Sequence, residues 1–143
     1  WLINNGLKTL PVRMEKHASN AMTISTFLEK HPRVTKVNYN GLPSNAYHHI
    51  ASKQMKTFGG MLSFEIDGSL KTVVGVLNKL KFCTKAPTLG DVDPLVLHPA
   101  TSSHLNVDKS QREASGITDG LVRLSVGIED VNDIINDLEQ ALS

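Results

Sequence analysis

A single cysteine, Cys83, excludes an internal disulfide framework and a cysteine-rich metal site. It also favours a reducing compartment, so a cytoplasmic location is expected. No apolar run approaches the roughly 20 residues that cross a bilayer, so no membrane partner is expected. Trp1-Leu2-Ile3 brings neither a charged region nor a small-residue cleavage site, and no secretory signal is read there. Aromatic residues make up only 5% of the chain, too few for a ladder on which bases would stack. Net charge is only +1, although residues 1–60 hold eight Lys/Arg against two Asp/Glu. The basic residues are scattered, so they read as a solvated surface or one meant for a partner domain, and no nucleic acid is expected.

Motifs of self-sufficient catalysis are missing as well. There is no phosphate-cradling glycine loop, no HExxH and no serine in a nucleophile elbow. Of the six histidines, adjacent His48 and His49 would diverge on a helix. His98 and His104 have no acidic or sulfur partner at ligand spacing, so no metal is expected.

What remains is ordinary domain material: 143 residues, 40% hydrophobic and 20% charged, sized for one core. Leu10, Met14, Ala18, Ala21, Ser25 and Leu28 share helical spacing, predicting a helix over 11–30 that stops at His31-Pro32. A strand is expected over 34–39, with Val37 and Tyr39 on one face, and a short helix around 44–54. The alternation of Leu62, Phe64 and Ile66 predicts a second strand. A helix then carries Leu70, Val73, Val74, Leu77 and Leu80 on one stripe.

Lys81 to Lys85 reads as a strand, residues 86–91 as a loop, and 96–100 as a short extended piece. Asp108 with Gln111 resembles a capping box for a helix over 109–115, with Gly116 just past its end. Leu121–Val126 alternates as a strand. Asp130 caps a final helix whose stripe is Val131, Ile134, Ile135, Leu138 and Leu142. The expected fold is α/β: a small sheet of about four or five strands with helices packed on one face.

Two places invite chemistry. Arg123 interrupts the apolar strand Leu121-Val122-Arg123-Leu124-Ser125-Val126, on the face opposite Val122, Leu124 and Val126. A guanidinium there needs a partner, either a structural carboxylate or a bound anion, and the residues alone leave both open. In Pro87-Thr88-Leu89-Gly90-Asp91, Gly90 permits close backbone approach and Thr88 offers a hydroxyl. The bland alternative is an ordinary turn.

These segments together resemble the Cys/Met-metabolism PLP-dependent enzyme family, whose members include cystathionine and methionine lyases, cystathionine γ-synthase and O-acetylhomoserine sulfhydrylase. The likeness runs through Gly6-Leu7-Lys8-Thr9-Leu10 with Arg13-Met14, then Val37-Asn38-Tyr39 with Gly41-Leu42-Pro43-Ser44, and Phe58-Gly59-Gly60-Met61. It continues in His98-Pro99-Ala100 with His104, Gly116-Ile117-Thr118, and Val122 through Asp130.

The resemblance implies the C-terminal domain of a fold-type-I PLP enzyme that eliminates or replaces the γ- or β-substituent of cystathionine, methionine or an activated homoserine. Arg123 is expected to bind the α-carboxylate of the amino-acid substrate, with Thr88 and Leu89 lining the pocket. Residues 1–10 would end a helical connection from an N-terminal PLP domain, and 11–143 would form the substrate-binding domain. Pyridoxal 5′-phosphate and its Schiff-base lysine are expected in that N-terminal domain, since Thr35-Lys36 and Thr84-Lys85 lack the family context. No catalytic or cofactor-binding residue is expected in this chain, which would be inactive alone. The intact protein is expected to be a homo-oligomer, a tetramer by family analogy. Pro87 and Thr101-Ser102-Ser103 depart from common family residues and leave lyase against synthase or sulfhydrylase open. A stand-alone binding or assembly module is the alternative from another class.

Overall fold

The computed structural model describes all 143 residues. Helices α1 (Leu2–Lys8) and α2 (Leu10–Glu29) lead into strand β1 (Val34–Asn38), helix α3 (His48–Gln54), strand β2 (Met61–Ile66) and helix α4 (Leu70–Lys79). Short strands β3 (Thr84–Lys85) and β4 (Leu95–Leu97) follow. A 3₁₀ turn (Pro99–Thr101), helix α5 (Lys109–Ala114), strand β5 (Leu121–Ser125) and helix α6 (Val131–Leu142) complete the chain.

The strands form one five-stranded sheet in the order β1-β2-β5-β4-β3. All neighbours are antiparallel except β3 and β4. The most strongly alternating segments became its centre. Leu62, Phe64, Ile66, Val122, Leu124 and Val96 point to one face and join Ile24, Leu28, Val73, Leu77, Ile134 and Leu138 in the core. Helices α2, α4 and α6 cover that face, as the alternation and helical stripes require. Residues 61, 63, 65, 121, 123 and 125 stand on the other face, where no long helix packs.

Four expectations change. The segment 81–83 is not a strand: the N–H groups of Lys81, Phe82 and Cys83 all donate to the carboxylate of Asp137, at 2.8, 2.9 and 2.8 Å. Donors committed to a side chain cannot also build a ladder, so β3 keeps two residues. In α2 the buried stripe begins late. Leu10 and Met14 are exposed, and burial runs through His17, Ala18, Asn20, Ala21, Ile24, Ser25 and Leu28. In α4, Val76 is buried in place of Val74. The Asp108 side chain makes no cap bond, whereas Asp130 accepts from Asn132 N at 2.8 Å as expected. Gly116, φ +78°, follows α5 in the left-handed conformation that helix ends favour.

Candidate functional site

Arg123 sits mid-way along β5, the middle strand of the sheet, on the face turned away from α2, α4 and α6. Ser63 lies opposite it on β2, and Leu97 opposite it on β4. Its backbone is therefore fixed by ladders on both sides. Its side chain has no carboxylate partner: the arginine–carboxylate pair of this chain joins Arg112 to Asp119. Instead, Arg123 Nη2 donates to the Thr88 carbonyl at 2.7 Å, and Nε is buried without any partner. An unpaired buried donor of this kind costs about 1–3 kcal/mol, which an arriving acceptor recovers. Beside it opens a recess of about 240 Å³ lined by Asn38, Met61, Leu62, Ser63 and Arg123.

The loop before β4 is tied to the same strand. Ser125 Oγ accepts from Gly90 N at 2.9 Å, and Ile128 N donates to Val92 O at 2.8 Å. Gly90 takes φ +82°, which lets the turn close. Thr88 thus meets Arg123 through its carbonyl, not its hydroxyl. Leu89 holds an exposed side chain beside this contact. Structure therefore brings Thr88 and Arg123 together and leaves Leu89 at the rim.

Sequence reading missed the supports beneath. His17 and Asn20, 5% and 1% exposed, sit one turn apart on α2. His17 Nδ1 donates to Val126 O at 2.5 Å, and Asn20 Nδ2 donates to the carbonyls of Gly127 and Glu129 at 3.0 and 2.9 Å. They anchor the segment leaving β5. Gly127 is packed so closely that a Cβ there would lie 2.6 Å from Val92 O and 2.8 Å from Pro94 N. Glu129 lies against this turn, and burial, followed by the nearby charge of Asp93, raises its pKa. The available signal was a polar pair, His17 and Asn20, set among Ala18, Ala21 and Ile24 on one helix face. His98 bonds to Thr101 Oγ1 and to the Asp119 carbonyl, both at 2.9 Å.

Neither Thr-Lys pair lies near the guanidinium: Lys36 is on edge strand β1, and Lys85, on edge strand β3, donates to Asn78 at 2.9 Å. The residues around Arg123 fit a carboxylate. The recess lining, Asn38, Met61, Leu62, Ser63 and Arg123, includes no lysine.

The site is thus a strand-borne arginine with an unpaired N–H, next to a recess on the helix-free face of an α/β sheet. Comparison with known proteins gives the family. The family model described as Cys/Met metabolism PLP-dependent enzyme matches residues 1–143. An L-methionine gamma-lyase of Fusobacterium nucleatum is 54% identical over 99% of this chain and 36% of its own length. A cystathionine beta-lyase of Coxiella burnetii is 48% identical over 99% of this chain and 37% of its own. The crystal structure of a putative O-acetylhomoserine (thiol)-lyase from Campylobacter jejuni, with N′-pyridoxyl-lysine-5′-monophosphate, superposes with a TM-score of 0.93. It is 39% identical, covering 99% of this chain and 34% of that one. The chain belongs to the Cys/Met metabolism PLP-dependent enzyme family. It spans little more than a third of the length of the curated relatives it matches, corresponding to their C-terminal part.

Proposed function

We propose that this chain is the substrate-carboxylate-binding domain of a PLP-dependent enzyme that acts on the γ- or β-carbon of a sulfur-containing or homoserine-derived amino acid. The observation that carries this reading is the guanidinium of Arg123: rigidly mounted, unpaired with any acid, and holding a buried N–H that lacks an acceptor. A planar fork of donors suits the two oxygens of a carboxylate. Membership of a Cys/Met metabolism family supports an amino acid as the bearer of that carboxylate.

In this reading residues 1–10 connect to a preceding cofactor domain and residues 11–143 receive the substrate. Pyridoxal phosphate, held by residues outside this chain, supplies the electron sink for the chemistry. Arg123 contributes position: it fixes the acid group, and with it the direction of the α-hydrogen. The Thr88 carbonyl holds Nη2 so that the fork does not swing, and Leu89 covers the rim. By itself the chain has the grip without the sink, so it is expected to be inactive.

The names of the similar lyases favour elimination over replacement. Assaying the full-length protein separates the two. Release of 2-oxobutyrate from methionine or cystathionine, or of pyruvate from cystathionine, supports elimination, and incorporation of sulfide into an activated homoserine supports replacement. Failure in both assays would contradict the proposal.

A further inference from the structure

Arg123 is the third member of a row that crosses four strands. Asn38 on β1 pairs with Ser63 on β2, Ser63 pairs with Arg123 on β5, and Arg123 pairs with Leu97 on β4. Side chains directly opposite one another on antiparallel strands stand about 5 Å apart at Cβ. The row is polar on one side of the guanidinium and apolar on the other.

The polar side is also the open side. Asn38, Ser63 and Arg123 line the same recess of about 240 Å³, and Leu97 is outside it. Asn38 Nδ2 donates to Ser63 Oγ at 3.3 Å. That bond uses an acceptor position of the hydroxyl and leaves its proton free. A carboxylate clasped by Arg123 has about four lone-pair positions. The guanidinium fork satisfies two, so a second donor alongside has an acceptor to address.

We infer that Ser63 is a further substrate-binding residue, donating its hydroxyl proton to the carboxylate that Arg123 grips, and that Asn38 orients the hydroxyl from behind. This rests on the reading of Arg123 given above. No bond is made or broken, and the contribution is to affinity for the acid group. Ser63 is only partly buried on the open face, so its replacement leaves the core residues Leu62 and Phe64 in place.

The test uses the full-length holoenzyme with Ser63→Ala, Ser63→Thr and Arg123→Lys, read by steady-state kinetics and by calorimetric binding of glycine. Glycine carries the carboxylate and amine without a leaving group, so its dissociation constant reports the acid-group contact apart from turnover. Ser63→Ala is expected to raise both KM and the glycine Kd roughly tenfold, as for a hydrogen bond to a charged group, with kcat within about twofold. Ser63→Thr, which restores a hydroxyl on a residue favoured in strands, is expected to return both constants towards the parent values. A Ser63→Ala enzyme with KM and glycine Kd unchanged overturns the inference, as does a loss confined to kcat. Arg123→Lys separates the two levels. If it leaves KM unchanged, the underlying reading fails. If it raises KM while Ser63→Ala does not, only the role of Ser63 fails.

Discussion

At the scale of single residues, Asp137 and Gly127 do more for the architecture than their positions in the sequence suggest. Asp137 is 6% exposed and receives three consecutive backbone N–H bonds together with Gln140. Burial pushes its pKa upward, but these donors outweigh burial and hold it below the ordinary carboxylate value. A carboxyl with a depressed native pKa stabilises the fold at pH above its unfolded value of about 4. That contribution fades as pH falls through the native value. Asp137→Ala is therefore expected to destabilise by about 2–3 kcal/mol at pH 7, because three donors lose their acceptor. The gap from wild type should narrow at pH 3, and urea midpoints at the two pH values measure it. Gly127→Ala is expected to cost about 1–3 kcal/mol in the same assay, since its methyl group would press on Val92 O and Pro94 N. Arg123 could be singled out in advance because a charge inside an alternating apolar strand is conspicuous. Asp137 could not, because its partners are main-chain groups that pattern reading does not see, and His17 and Asn20 offered only their polarity among the apolar residues of a helix face.

Secondary-structure elements were legible where burial and periodicity coincide. Strands β2 and β5 and helix α6 follow the alternation and the 3.6-residue stripe that their sequences carry. The segment 81–85 misleads because its hydrophobic content suits a strand while its N–H groups belong to Asp137. The beginning of α2 misleads differently: Leu10 and Met14 keep the helical spacing of core residues but extend past the sheet that would bury them. Helix α6 closes the core against α2 and α4, and Asp130 fixes its first turn. Asp130→Ala should lower stability by about 1 kcal/mol, seen as a small fall in the thermal midpoint without change at Arg123. The loop carrying Thr88 and Leu89 stood out through Gly90 and the Thr88 hydroxyl, and family resemblance added the expectation that it lines a pocket. Its attachment through Ser125 Oγ, a hydroxyl on the same strand face as Arg123, became evident only in three dimensions.

For the whole molecule, surface area is informative. The chain exposes 8265 Å², against about 7,300 Å² expected of a compact monomer of this mass. The most exposed large apolar residues include Trp1 at 91%, Leu2 and Ile3, with Leu7 also uncovered, and α1 buries nothing. No helix is long and apolar enough to cross a membrane. Such a patch seeks another protein surface, so the 143-residue chain on its own is expected to self-associate with rising concentration. Sedimentation velocity measures this, and a clean monomer across the range would contradict it. The helix-free face of the sheet makes the same point at the site: Arg123 is held there by ladders on both sides and by the Thr88 carbonyl, with no acid partner in this chain. The most direct measurement is the KM of the full-length enzyme for its amino-acid substrate after Arg123→Lys. The account predicts an increase of tenfold or more, since a lysine cannot reproduce the two-pronged grip. A KM indistinguishable from that of the parent enzyme would contradict it.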